Sequence, residues 1–266
     1  MEFEETLRQY YADFGRHDLP WRQPEPDGAF NPYKILVSEI MLQQTQVPRV
    51  LIKFNEFLLR FPTVQSLAVA ELGDVLQVWS GLGYNRRAKF LWQAAQKVHT
   101  DFGGALPQTL EELVLLPGVG KNTAGAVMAY AFDEPVVFLE TNIRTVYIHH
   151  FFHDEFDVPD AAIAELVDTT LDRQHPREFY WALMDYGTYL KQTVGNASRQ
   201  AKGYAKQSKF EGSKRQVRGQ VLRELAAGPQ SVAALAQRIP DERLPEVLQD
   251  LVKEGMLKQE GDNYAI

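Results

Sequence analysis

Two carboxylates stand where side chains of their type can do chemistry. Glu39 sits in Pro32-Tyr-Lys-Ile-Leu-Val-Ser-Glu-Ile-Met-Leu-Gln-Gln-Thr-Gln46, a helical pattern that is apolar nearly all round. Ile35 and Leu36 lie a turn before it and Leu42 a turn after. A carboxylate in that setting is rarely buried without a partner or a task. Burial raises its pKa toward neutrality, the condition a general acid needs, although a Glu on the side of a surface helix fits the same pattern. Glu140 and Asn142 follow the apolar run Val136-Val-Phe-Leu139 and open a new helix. Read locally, an acid followed by a polar residue there is a helix cap.

Between these two stretches lies Leu116-Pro-Gly-Val-Gly-Lys-Asn-Thr-Ala124. Gly118 and Gly120 flank one apolar residue, which makes a tight hairpin and exposes backbone N–H groups at the start of the next helix. Together with Lys121, that is an anion site by geometry and by helix dipole. The GxxxxGK[ST] spacing of a nucleotide-phosphate loop is missing. Two acids and a phosphate-gripping hairpin suit cleavage of an N-glycosidic bond in DNA. One carboxylic acid protonates the leaving base, and a second, ionised carboxylate stabilises an oxocarbenium-like transition state. The nucleotide has to leave the duplex stack first. The two acids then need separated pKa values, with Glu39 held high and Glu140 held low by the N–H groups of the helix it opens.

Helical periodicity dominates the elements that must position these groups, with helices expected over 32–44, 66–78, 86–102, 109–116, 122–132 and 161–171. Gly81, Gly83, Gly103, Gly104, Pro107 and Pro117 punctuate them. The fold class is all-α, in two lobes with a cleft between them. Glu39 and the hairpin are expected in a lobe central in sequence; the other lobe pairs the N-terminal segment with residues after about 135. After a first domain, 1–195, a Ser-, Gly-, Gln- and Lys-rich linker spans 196–215. Beyond it, helices over 216–227, 231–239 and 240–255 and two runs around Gly261-Asp262 make a small winged-helix-like module, 216–266.

The chain has no cysteine, which removes disulfides, thiolate catalysis and thiolate-bound zinc or iron–sulfur clusters. No run of 18 apolar residues exists, so neither a membrane span nor a secretory signal is expected. The net charge of −7 hides an asymmetry. Residues 191–223 carry nine Lys and Arg against the single acid Glu211. Local cations decide phosphate binding, so this stretch, including Lys202, Lys206 and Lys209, is the expected electrostatic footprint on DNA, unless it is simply a solvated linker. The third helix of the terminal module instead carries Asp241, Glu242, Glu246, Asp250 and Glu254 against Arg243 and Lys253. A packing or partner-binding role fits that helix better than entry into a groove of DNA.

With these residues in view, the chain resembles the adenine DNA glycosylases of the helix-hairpin-helix superfamily. The match is carried by Leu19-Pro-Trp-Arg22, Val37-Ser-Glu-Ile-Met-Leu-Gln-Gln-Thr-Gln-Val47, Gly81-Leu-Gly-Tyr84, the hairpin at 116–124 and Leu183-Met-Asp-Tyr-Gly187. The resemblance implies Glu39 as general acid, Glu140 as second carboxylate and Asn142 as its catalytic companion. It puts Gln43, Gln44 and Thr45 in the segment that enters the duplex and Gly118, Gly120, Lys121 and Thr123 on phosphate. Trp21, Arg22, Tyr84 and Asn122 fall to the substrate pocket. The implied activity is monofunctional hydrolysis of adenine mispaired with G or 8-oxoguanine, by a cytoplasmic, nucleoid-associated monomer whose partner is double-stranded DNA with a mismatched or damaged pair. Four departures stand out. Glu140 replaces the family's Asp; Asn122 occupies the place of the Schiff-base lysine of bifunctional relatives; the four-cysteine cluster loop after Gly187 is replaced, so no cofactor is expected; and the lesion-reading C-terminal domain is not recognisable. The departures keep two rivals open: excision of T or U opposite G, or a lesion-binding protein with little catalysis.

Overall fold

In the computed structural model, which describes residues 2–153, 155–205 and 209–266, helices dominate. They run α1 (Glu2–Phe14), α2 (Pro32–Leu42), α3 (Val47–Arg60), α4 (Val64–Ala68), α5 (Leu72–Trp79), α6 (Arg86–Asp101) and α7 (Leu110–Leu113). Then follow α8 (Lys121–Phe132), α9 (Thr141–Phe151), α10 (Asp160–Thr170), α11 (Pro176–Thr193), α12 (Lys214–Leu225), α13 (Val232–Arg238) and α14 (Leu244–Lys253). Short 3-10 turns occupy Pro20–Arg22 and Ala197–Gln200, and the strands are β1 (Gln230–Ser231), β2 (Lys258–Glu260) and β3 (Asn263–Ala265). Lys206 of the basic stretch lies outside the described residues.

The chain forms two compact units, the first of Met1–Glu39, Leu106–Leu115 and Val119–Lys206, the second of Ile40–Ala105, Leu116–Gly118 and Gln207–Ile266. This corrects the expected lobes. Glu39 and α8 belong with the N-terminal segment, and the central residues 40–105 belong with the terminal module. The reason is the apolar girth of α8: every residue from Ala124 to Ala131 is buried, so the helix is enclosed by its own unit rather than laid on a surface. Small residues allow that enclosure. A Cβ on Gly125 would lie 2.6 Å from the Cβ of Phe138, in the segment leading to Glu140. A Cβ on Gly187, in α11, would lie 2.5 Å from the carbonyl oxygen of Asn142 in the first turn of α9. Those two glycines bring α8, α9 and α11 close enough to share one interior.

In the second unit the single helix expected over 66–78 is two helices, α4 and α5. Thr63 and Ser66 form a capping box at the start of α4, and the indole N–H of Trp92 takes the Ala70 carbonyl at 2.9 Å, away from the backbone ladder. Phe54, Phe57, Trp79 and Leu91 fill this core. The terminal module has the expected three helices and hairpin, β2 and β3 pairing antiparallel with Gln259 opposite Tyr264 and β1 adding to give the order β1-β3-β2. Part of the stretch read as linker is ordered on the first unit. Ser198 is buried, and the backbone of Gln200 and Lys202 brackets Val158 with hydrogen bonds of 3.0 and 2.9 Å.

Candidate active site

Glu39 occupies the last turn of α2 and Glu140 the residue before α9. Each is half-buried. Burial pushes the Glu39 carboxyl well above the usual carboxylate range; the charge of Glu140 pushes it further, and Arg22 opposes both. Burial also raises Glu140, against the pull of Arg144 and Lys191. The expectation that helix N–H groups hold Glu140 low is therefore corrected. Glu140 is the N-cap residue of α9, but its side chain makes no capping hydrogen bond. The order of the pair survives for another reason. Two cations favour the ionised form of Glu140, whereas Glu39 faces a neighbouring carboxylate. Asymmetric partners separate the acids: Glu39 is pushed further up than Glu140, the order that a proton donor beside a carboxylate needs.

Around the pair, long-range contacts hold the geometry. Asn142 donates from Nδ2 to the Met184 carbonyl at 3.1 Å and to Thr188 Oγ1 at 3.3 Å, and its Oδ1 accepts from Lys191 Nζ at 2.5 Å. Its amide is thus committed to α11. The Asn142 side-chain oxygen thereby holds the Lys191 ammonium, whose charge favours the ionised form of Glu140. Beneath Glu39, the Arg22 guanidinium meets the Asp185 carboxylate through two hydrogen bonds of 2.8 and 2.9 Å. Both side chains are buried, at 4 % and 1 % exposure. Arg16 adds hydrogen bonds of 2.7 Å from its backbone N–H and from Nε. Trp21 is buried beside Arg22. Tyr130 of α8 is sunk in the same site; burial raises its phenol pKa, and so do the charges of Glu39 and Glu140.

Asn122, expected in the pocket, lies on the surface of α8, with its Oδ1 accepting the Leu139 N–H at 3.4 Å. It fastens the chain one residue before Glu140. In the hairpin, Gly118 has φ +78, and a Cβ there would lie 2.6 Å from that of Phe90. Gly120 is the N-cap of α8, with nothing within 4 Å of where its side chain would begin. A bare N-cap leaves room for an anion at the start of the helix, with Lys121 exposed beside it. Thr123 is half-buried in that turn.

The second unit holds the remaining expected residues together through one buried arginine. Arg87 Nη1 donates to the carbonyls of Ile40, Met41 and Gln43 at 2.8, 2.9 and 2.5 Å. Its Nη2 donates to Thr45 Oγ1 at 3.1 Å and to the Gly83 carbonyl at 3.1 Å. Arg87 therefore caps α2 and ties the Gln43-Gln44-Thr45 turn to Gly81-Leu-Gly-Tyr84. Gln44 and Tyr84 have φ of +55 and +49, left-handed values that non-glycine residues rarely adopt. Tyr84 remains 37 % exposed.

Reading the sequence missed Arg87, Asp185, Tyr130, Lys191 and Arg144. Arg144 carried a signal, since it lies four residues after Glu140 on one helix face. Asp185 lay in a motif that was noticed but given no role. Nothing local marked Arg87. After Gly187, α11 continues to Thr193, and with no cysteine in the chain the residues present do not fit a thiolate-held cluster.

The family model described as HhH-GPD superfamily base excision DNA repair protein matches residues 37–169. The chain is 35 % identical over 192 residues to the adenine DNA glycosylase of Buchnera aphidicola subsp. Baizongia pistaciae, covering 71 % of this chain and 52 % of the relative. It is 39 % identical over 174 residues to that of Mycobacterium tuberculosis, covering 64 % and 56 %. It thus spans about half the length of the curated relatives it matches. Among solved structures, a thermostable thymine-DNA glycosylase superposes with a TM-score of 0.60 at 27 % identity, over 70 % of this chain and 84 % of that one.

Proposed function

The chain belongs to the HhH-GPD superfamily of base excision DNA repair proteins, and we propose that it is a monofunctional glycosylase that hydrolyses adenine from A mispaired with G or 8-oxoguanine. The observation that carries this reading is Glu140, an N-cap carboxylate that caps nothing and shares a buried site with a carboxyl of raised pKa. A merely structural acid at that position would bond to the helix it opens.

Glu39, protonated, donates its proton to the leaving adenine as the C1′–N bond breaks. The ionised Glu140 stabilises the positive charge that develops on the sugar, and water completes the abasic product. Lys191 and Arg144 keep Glu140 the more acidic of the two. The resemblance puts Asn122 where a lyase would need lysine, so strand cleavage is not part of the reaction. Every step is supplied by side chains, with no metal or cofactor. The partner is duplex DNA carrying the mismatch, gripped without sequence preference by the hairpin at Gly118, Gly120 and Lys121.

Likeness to a thymine-DNA glycosylase favours a second reading, removal of T opposite G. Duplexes bearing A, T or U opposite G or 8-oxoguanine, incubated with protein and treated with alkali, separate the two. Cleavage only at A supports the adenine reading, and cleavage only at T or U replaces it. Absence of cleavage anywhere refutes the glycosylase assignment, and turnover by Glu39→Gln within a few-fold of wild type refutes Glu39 as its general acid.

A further inference from the structure

The second unit contains a groove of about 910 Å³ between the Gly81–Arg87 segment, the start of α3 and α12. In a chain of net charge −7, seven Arg and Lys side chains line it against one carboxylate, Asp250. Four of the seven come from α12. An acidic protein that gathers cations on one wall directs that wall at a polyanion.

How the cations are occupied tells structural from available ones. Arg87 is used up on carbonyl groups of its own unit. Arg86 and Arg218 both grip Glu254, and Lys214 pairs with Glu246 and Asp250. Those three acids recur every four residues along α14 and its C-cap residue, Glu254, so one acidic stripe of the third helix is consumed inside the unit. The helix that would read a groove of DNA in a winged helix is here a docking face, and its charge is spent holding α12 and α6. Arg49 and Arg223 are different. Both line the groove, both are exposed, and neither guanidinium has a hydrogen-bond or ion-pair partner among the described residues. Arg215 lies with its guanidinium 5.6 Å from the Tyr84 ring centroid and donates to the Tyr84 hydroxyl at 2.6 Å, which fixes that aromatic at the rim.

A second feature points to an occupant. Gly219 sits in the middle of α12, where glycine weakens a helix. It lines the groove, and nothing lies within 4 Å of where its side chain would begin. No packing in the unit needs the missing side chain. Space left open beside unpaired cations is what the close approach of a phosphate backbone requires.

We infer that α12, not α14, is the DNA-binding helix of the terminal module, and that this groove seats a sugar-phosphate strand of duplex DNA through Arg49 and Arg223. The choice of DNA as the polyanion rests on the proposed function; the groove itself does not. Anisotropy titrations of an undamaged duplex across a salt series test it. Loss of two phosphate contacts in the Arg49→Gln/Arg223→Gln protein flattens the log–log salt dependence by about 1.8, or roughly 60-fold in Kd at 0.1 M salt. Gly219→Gln fills the groove with a better helix former, so binding weakens while the melting temperature stays at or above that of wild type. If either variant stays folded and binds within twofold of wild type with an unchanged salt slope, the inference is overturned. The duplex carries no target base, so a wild type that binds it but releases no base from any mismatch sinks the glycosylase reading alone.

Discussion

Replacing Asp185 by Asn keeps the shape of the side chain and removes the charge that neutralises Arg22. In the wild type the carboxylate accepts from Arg22 Nη1 and Nη2 and from the backbone N–H and Nε of Arg16, and Arg16 Nη2 lies 2.5 Å away. An amide offers one acceptor atom and turns two donors toward guanidinium donors. Arg22 Nε is already buried without a partner, so the variant leaves an uncompensated cation in the interior. Breaking a buried pair from one side costs about 3–5 kcal/mol. With an unfolding entropy of about 2.1 cal/mol/K per residue, that is a fall of roughly 5–9 °C in melting temperature for a chain of this length. The sign with pH is fixed. Burial pushes the Asp185 carboxyl up, but the hydrogen bonds and charge of Arg22, with those of Arg16, outweigh it and hold the pKa below the ordinary 3.8. A lowered acid stabilises the fold above its unfolded pKa and loses that contribution as pH falls through the folded one. The deficit should be full at pH 7 and shrink below pH 3.8. A second readout follows from Arg22, which opposes the raised pKa of Glu39. Freed of its counter-ion, Arg22 pulls Glu39 down, and the alkaline limb of single-turnover base release moves to lower pH. Circular-dichroism melts at pH 7 and pH 3 and a rate profile from pH 5 to 9 read both effects. A deficit under 2 °C at pH 7, or one undiminished at pH 3, would refute the reasoning.

Glu140→Gln should slow single-turnover base release by at least about 100-fold, while Glu140→Asp retains or raises it; equal rates for Gln and wild type would reduce Glu140 to a structural residue. Glu39→Gln should raise the melting temperature at pH 7, because an acid of raised folded pKa lends its stability only below its unfolded value and costs the fold as pH climbs. Melts at pH 4 should show that gain disappear, and a gain equal at both pH values would count against a perturbed Glu39. Gly187→Ala puts a Cβ 2.5 Å from the Asn142 carbonyl, so a loss of about 1–3 kcal/mol and a slower reaction are expected. Wild-type stability and rate in that variant would show that the close approach of α9 and α11 matters to neither.

Features written within a few turns of chain were legible beforehand. The apolar face around Glu39, the Gly118–Gly120 hairpin and the Gly261-Asp262 turn all declare themselves through spacing, because a helix repeats every 3.6 residues and a tight turn needs glycine at set places. Matters that depend on distant partners were not. Whether Glu140 caps a helix or serves chemistry turns on Lys191, 51 positions away, and on an N-cap bond that does not form. The single helix read over 66–78 broke because the indole of Trp92 claims the Ala70 carbonyl. The acids of the third helix pointed to packing or partner binding, but not to their partners, Arg86 from 168 residues earlier and the cations of α12. Periodicity records which face of an element is apolar. A charge, by contrast, takes its pKa and its role from whatever lies within a few ångströms in space, and only folding decides which residues those are.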